Sequence, residues 1–166
     1  MDFITKVIFI IGFLLASLLL SAQSKSDKIY DTFSGKEGVT NFSFNKNMID
    51  AVDIDLNDEN QHVSGDLHEI RFLSYNPEKG ELSGPEFLEK AIALLPSSYK
   101  KYEDPEDDDS DAEIWLRGRG KKYSECHVFI KNEDPEGNRF LISFYGDFNV
   151  DDLDGLKKVG KDFSEK

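Results

Sequence analysis

Eight of the eleven residues from Glu103 to Glu113 are acidic. Within that run Asp107, Asp109 and Asp111 stand at alternate positions, an arrangement that can offer carboxylate oxygens to a hard divalent cation such as calcium. Tested against the calcium-loop pattern, the match fails twice. Ala112 occupies the place of the turn glycine, and Gly118 that of the bidentate glutamate. Two other stretches, from Asp53 and from Asp147, begin in the same way and fail at the same places: Asp58 and Asp152 replace the glycine, Ser64 and Lys158 the glutamate. The acidic run therefore reads first as a solvated loop that aids solubility. Its second reading is a weak calcium site on Asp107, Asp109 and Asp111, and no other cofactor is expected.

The remaining chemistry is mostly exclusion. The histidines are His62, His68 and His127, and none has metal-site spacing with another on a helix. His68-Glu69 does not open a zinc-protease run, because Phe72 stands where the second histidine would be. Cys126 and His127 are neighbours on an expected strand, so their side chains point to opposite faces and do not form a nucleophile–base pair. There is no nucleophile elbow, phosphate loop or dinucleotide fingerprint. The chain is thus not expected to be an enzyme; a hydrolase working through two converging carboxylates is the third reading, behind calcium binding. Arg117-Gly-Arg-Gly-Lys-Lys122 reads as a tight turn with its basic side chains in water. With 33 acidic against 20 basic residues and a net charge of −13, nucleic acid is not an expected partner.

These residues need elements to hold them. Val39–Phe44 alternates as a half-buried strand, with Thr40, Phe42 and Phe44 on one face. Asn45 can cap a helix carrying Met48, Ile49, Val52 and Leu56, which ends in an acidic loop. Glu69–Tyr75 is a strand with Ile70 and Phe72 facing one way, Leu73 and Tyr75 the other. Ser83, Pro85 and Glu86 form a helix start with a capping box, followed by a stripe of Phe87, Leu88, Ala91, Leu94 and Leu95 that Pro96 stops. Strands follow at Tyr99–Tyr102, Glu113–Arg117, Ser124–Lys131 and Arg139–Tyr145. Asp134-Pro-Glu-Gly137 joins the last two as a hairpin turn, and a final helix is expected from Asp151. This order implies an α+β fold: a single, mainly antiparallel sheet with two or three helices on one face.

The N-terminus carries the clearest functional signal. A head bearing Lys6 precedes fourteen residues, Val7–Leu20, interrupted among apolar side chains by Gly12 and Ser17 alone; Ser21-Ala22-Gln23 follow. That is the order of a secretory signal peptide, with cleavage expected after Ala22. The run is short for a permanent anchor, which needs about 20 apolar residues, so no stable membrane insertion is expected after cleavage. Residues 1–22 are then the signal, 23–37 a polar lead-in segment, and 38–166 one domain. Cys126 is an unpaired cysteine in an exported chain, read as a buried small hydrophobe.

With these elements in place, the chain resembles a family of short exported Bacteroidetes proteins, that of domain of unknown function 4252. The likeness lies in "GVTNFSFNKNMIDAV", "LHEIRFLSYN" and "HVFIKNEDPEGNRFLISFYGDFNVDDLDGL", spanning roughly residues 30–160. It implies a place in the cell envelope and supplies no catalytic residues. Many similar proteins resemble lipoproteins, whereas this chain has no lipid-bearing cysteine after its apolar run. The reading that results is an exported, non-catalytic envelope protein that binds an envelope protein or other envelope component.

Overall fold

The structure is a computed structural model that describes residues 27–52, 57–58, 61–62, 66–103, 111–132, 134–153 and 156. The expected signal peptide, Asp107 and Asp109 lie outside them. In chain order the elements are α1 (Asp27–Phe33), β1 (Val39–Asn45), α2 (Lys46–Val52), β2 (Asn57–Asp58), β3 (Gln61–His62), β4 (Asp66–Tyr75) and α3 (Gly84–Ala93). They continue as β5 (Lys100–Tyr102), β6 (Ala112–Arg119), β7 (Lys122–Ile130), β8 (Arg139–Asn149) and a 3₁₀ turn at Val150–Asp152. Six strands form one antiparallel sheet in the order β1-β4-β8-β7-β6-β5. The fold is therefore α+β. β2 and β3 form a separate two-stranded ribbon, in a region that the sequence reads as loop.

Alternation along the central strands buries both faces of this sheet. Ile70, Phe72, Ile114, Leu116, Cys126, Val128, Ile142 and Phe144 share one apolar cluster. Leu73, Tyr75, Phe129 and Leu141 lie in a second, on the opposite side. α1 and α3 pack on the second face through Ile29, Phe33, Phe87, Leu88 and Ala91. The expectation that helices cover one face is thus incomplete. Ile49 of α2 belongs to the first cluster, together with Leu153 and Leu156, because strands carrying large apolar residues at even and odd positions alike need cover on both sides.

Local chemistry accounts for the best-formed helix. Ser83 Oγ accepts from the Glu86 N–H while the Glu86 carboxylate accepts from the Ser83 N–H, and a proline stands in the first turn. α1 is a different case. Residues 23–37 read as a polar lead-in segment without periodicity; within it Asp27–Phe33 is a helix with Ile29, Tyr30 and Phe33 buried. Seven residues are too few to show helical periodicity, and two isolated turns are not stable alone, so tertiary packing forms this helix.

Candidate functional site

On the face that carries α1, the apolar cluster gives way to a run of polar side chains. β7 contributes Glu125 and His127, β8 Ser143 and Tyr145, β4 Glu69 and Arg71, and β6 Arg117. α1 brings Asp27 and Tyr30 over them, and Tyr99, just ahead of β5, closes the far end. At the centre, His127 Nδ1 lies 2.7 Å from Ser143 Oγ, and the Tyr30 hydroxyl donates to Ser143 Oγ at 2.8 Å. His127 and Ser143 are both 0% exposed. Burial holds the His127 pKa down at about 4, against an ordinary 6.5; Glu125 works the other way, and Arg71 adds to the depression. The ring is therefore neutral near pH 7. Its Nε2 has no hydrogen-bond partner among the described residues, and the Glu125 carboxylate is 3.9 Å away.

The two ends of the run are charged and ion-paired. Glu125 accepts from the Tyr99 hydroxyl and the Arg117 guanidinium. Burial opposes its charge, but these two donors and the positive charge of Arg117 outweigh that, and its pKa falls below the usual carboxylate range. Arg71 is held by Glu69 at 2.8 Å and Asp27 at 2.5 Å, and its guanidinium lies 5.4 and 5.1 Å from the centres of the Tyr30 and Tyr145 rings. Serine, histidine and glutamate in sequence resemble the parts of a nucleophilic relay. Here, however, the serine and histidine are sealed beneath α1, which suits a polar network that fixes how helix and sheet dock.

Two clefts lie elsewhere, on either side of α3. One cleft of about 630 Å³ has Phe33, Tyr75 and Leu94 in its floor and Lys36, Glu81 and Lys90 on its rim. A second, of about 430 Å³, is lined by Leu88, Ile92 and Phe129, with Glu113 and Lys131 beside them.

Of the expected metal residues, Asp111 is exposed at the start of β6, while Asp107 and Asp109 lie outside the described residues. Among the described residues no group of three or more histidine, cysteine, aspartate or glutamate side chains is placed to hold a metal ion. Cys126 is wholly buried, which pushes its thiol pKa up, and it belongs to the opposite apolar cluster from the face of His127. The basic turn is tight, as read, with Arg119 opposite Lys122. Arg117 corrects that reading, because its guanidinium is bonded to Glu125 and not merely in water. Glu113, last of the acidic run, is likewise engaged, by Lys131 at 2.8 Å and Lys101 at 3.4 Å. Sequence reasoning missed Ser143, Tyr30, Tyr99 and Arg71. Glu125, His127 and Ser143, polar at inward positions of otherwise apolar strands, were the available signal.

Among the described residues no helix is long and apolar enough to cross a membrane. A family model described as Domain of unknown function (DUF4252) matches residues 30–156. No curated protein and no solved structure matches the chain.

Proposed function

The chain belongs to this family of unknown function, and from that premise we propose that it is an exported, non-catalytic protein of a Bacteroidetes cell envelope that works by binding a partner there. Export is supported by the lysine-bearing head, the fourteen-residue apolar run and the small residues before Gln23. Binding is supported by one contrast. The groups with the makings of a reaction, Ser143 and His127, are wholly buried, whereas the clefts beside α3 have apolar floors and charged rims. Such a cleft suits an apolar anchor from a partner, with the rim setting its orientation.

Two measurements test this reading. Mass spectrometry of the chain from its native host should find a mature form beginning near Gln23; Met1 or Lys6 peptides on the bulk of the protein would remove export. For binding, capture from native envelope fractions should yield a partner that Ala93→Glu loses and Lys79→Glu keeps. Ala93 is exposed and lines the larger cleft, so the added carboxylate blocks it without touching the core. Equal capture by both variants would rule the cleft out.

A further inference from the structure

The six-stranded sheet ends on one side in β1, and among the described residues nothing pairs with the outer edge of that strand. Val39–Asn45 contains neither a charge nor a proline, so it lacks two devices that usually keep another strand off a sheet edge. The exposed large hydrophobic residues among those described are Phe42, at the centre of β1, and Met48, just beyond it, at 42% and 43%. The Phe42 ring stacks on Phe72 at 4.7 Å, and Phe72 leans on Phe140 at 5.7 Å. A row of aromatic rings thus crosses three neighbouring strands and stops at an exposed ring.

Charge narrows the choice of occupant. A net −13 makes two copies repel over most orientations, but β1 is uncharged, and Lys46 beside it is tied to Asp66 at 2.5 Å. We infer that β1 pairs antiparallel with β1 of a second copy of this chain, about a two-fold axis at Phe42, joining the two sheets into one. Phe42 is the middle residue of the strand, so this pairing sets it against its own symmetry mate. Thr40 then faces Phe44 of the other copy, and Asn41 faces Ser43. Such an interface is self-complementary, and cross-strand aromatic pairs are among those that stabilise sheets. The second copy supplies the ring at which the aromatic row stops, with no opposed like charges. This inference is independent of the envelope-binding reading, which concerns the clefts beside α3.

Sedimentation equilibrium of the purified chain over about a hundredfold range of concentration tests it, since association follows mass action. The mass should rise from one copy toward two, and added salt should shift it further by screening the net charge. Phe42→Lys should raise the dimer dissociation constant about tenfold or more while its monomer keeps the wild-type circular dichroism spectrum. Thr40→Lys, at an exposed position on the same face, should do the same and serves if Phe42→Lys fails to fold. In Phe42→Cys, the introduced thiols should cross-link the copies under oxidation, faster than those of Lys79→Cys; Cys126 is buried. A single copy at every concentration overturns the proposal and leaves the edge to another protein or to this chain's own residues. So does association that persists in both lysine variants, or cross-linking no faster than the Lys79→Cys control.

Discussion

His127 links the polar network to pH. Its ordinary pKa of 6.5 is that of the unfolded chain, and burial lowers it to about 4 in the fold. Between these values the unfolded chain binds a proton that the folded chain does not, so stability is lost as pH falls through that window. The groups facing the ring, Glu125 and Arg71 among the charged ones and Tyr99 and Tyr145 among the aromatic ones, are already in that balance. Urea unfolding at pH 7 and pH 5 should therefore show a loss of about 2 kcal/mol in the wild type. Most of that difference should vanish in His127→Gln, even though the variant is less stable at both values. Glu113 and Glu125 are held below the ordinary carboxylate value of 4.5, so their losses have the same sign and begin at lower pH. A second residue-scale change is Tyr30→Phe, which removes the hydroxyl on Ser143 and should cost about 1 kcal/mol in the same assay. The sequence placed Cys126 and His127 on opposite faces correctly, because alternation alone decides that. It did not bring Tyr30 to Ser143, 113 positions apart, because that contact depends on where a two-turn helix docks.

At the scale of elements, four expected strand ends share one physical cause. Periodicity starts β4 at Glu69 and β7 at Ser124, and stops β6 at Arg117 and β8 at Tyr145. The structure carries each strand further, and the register shifts between Leu67 and Glu69, between Tyr123 and Glu125, and between Arg117 and Gly118. An extra residue at a bulge reverses which face the following side chains take. Leu67 and Tyr123 accordingly join the cluster of Ile70 and Cys126 despite their odd positions. Alternation was legible wherever pairing was regular, and it broke where the backbone inserted a residue. Gly146 lies among these shifts with φ of +157°, and a Cβ there would stand 2.3 Å from the Asp66 carbonyl oxygen and 2.8 Å from Leu67 Cα. Both obstacles are backbone, so Gly146→Ala must push β4 and β8 apart. It should cost about 2–4 kcal/mol in denaturant unfolding. Ser83→Ala opens the capping box of α3 and should cost about 1 kcal/mol, with a smaller loss if Glu86 keeps its bond to the backbone.

Across the whole molecule, charge is divided between two ends of one strand. β6 runs from Ala112, near the end of the acidic run, to Arg119 in the basic turn, a span of about 25 Å, well beyond the screening length of about 8 Å at physiological salt. The two groups therefore act separately toward anything that approaches. Glu113 and Arg117, on β6 itself, are held in ion pairs; the exposed charges beyond them are Asp111 at one end and Arg119, Lys121 and Lys122 at the other. Asp111 is exposed, and one bond to β7 runs from the Lys131 N–H to its backbone carbonyl at 2.6 Å, which survives any change of side chain. Replacing Asp107, Asp108, Asp109 and Asp111 together with serine moves the net charge from −13 to −9. The melting temperature at physiological salt should change by no more than a few degrees. Charges at the rim of an interface chiefly steer encounter, while apolar anchors hold the complex. Against a partner captured through the cleft beside α3, the variant should associate more slowly and with a flatter salt dependence, and dissociate at nearly the wild-type rate. Stopped-flow mixing at several salt concentrations separates these rates. An unchanged association rate would leave the acidic run a solubility feature, and a large drop in melting temperature would make it part of the fold.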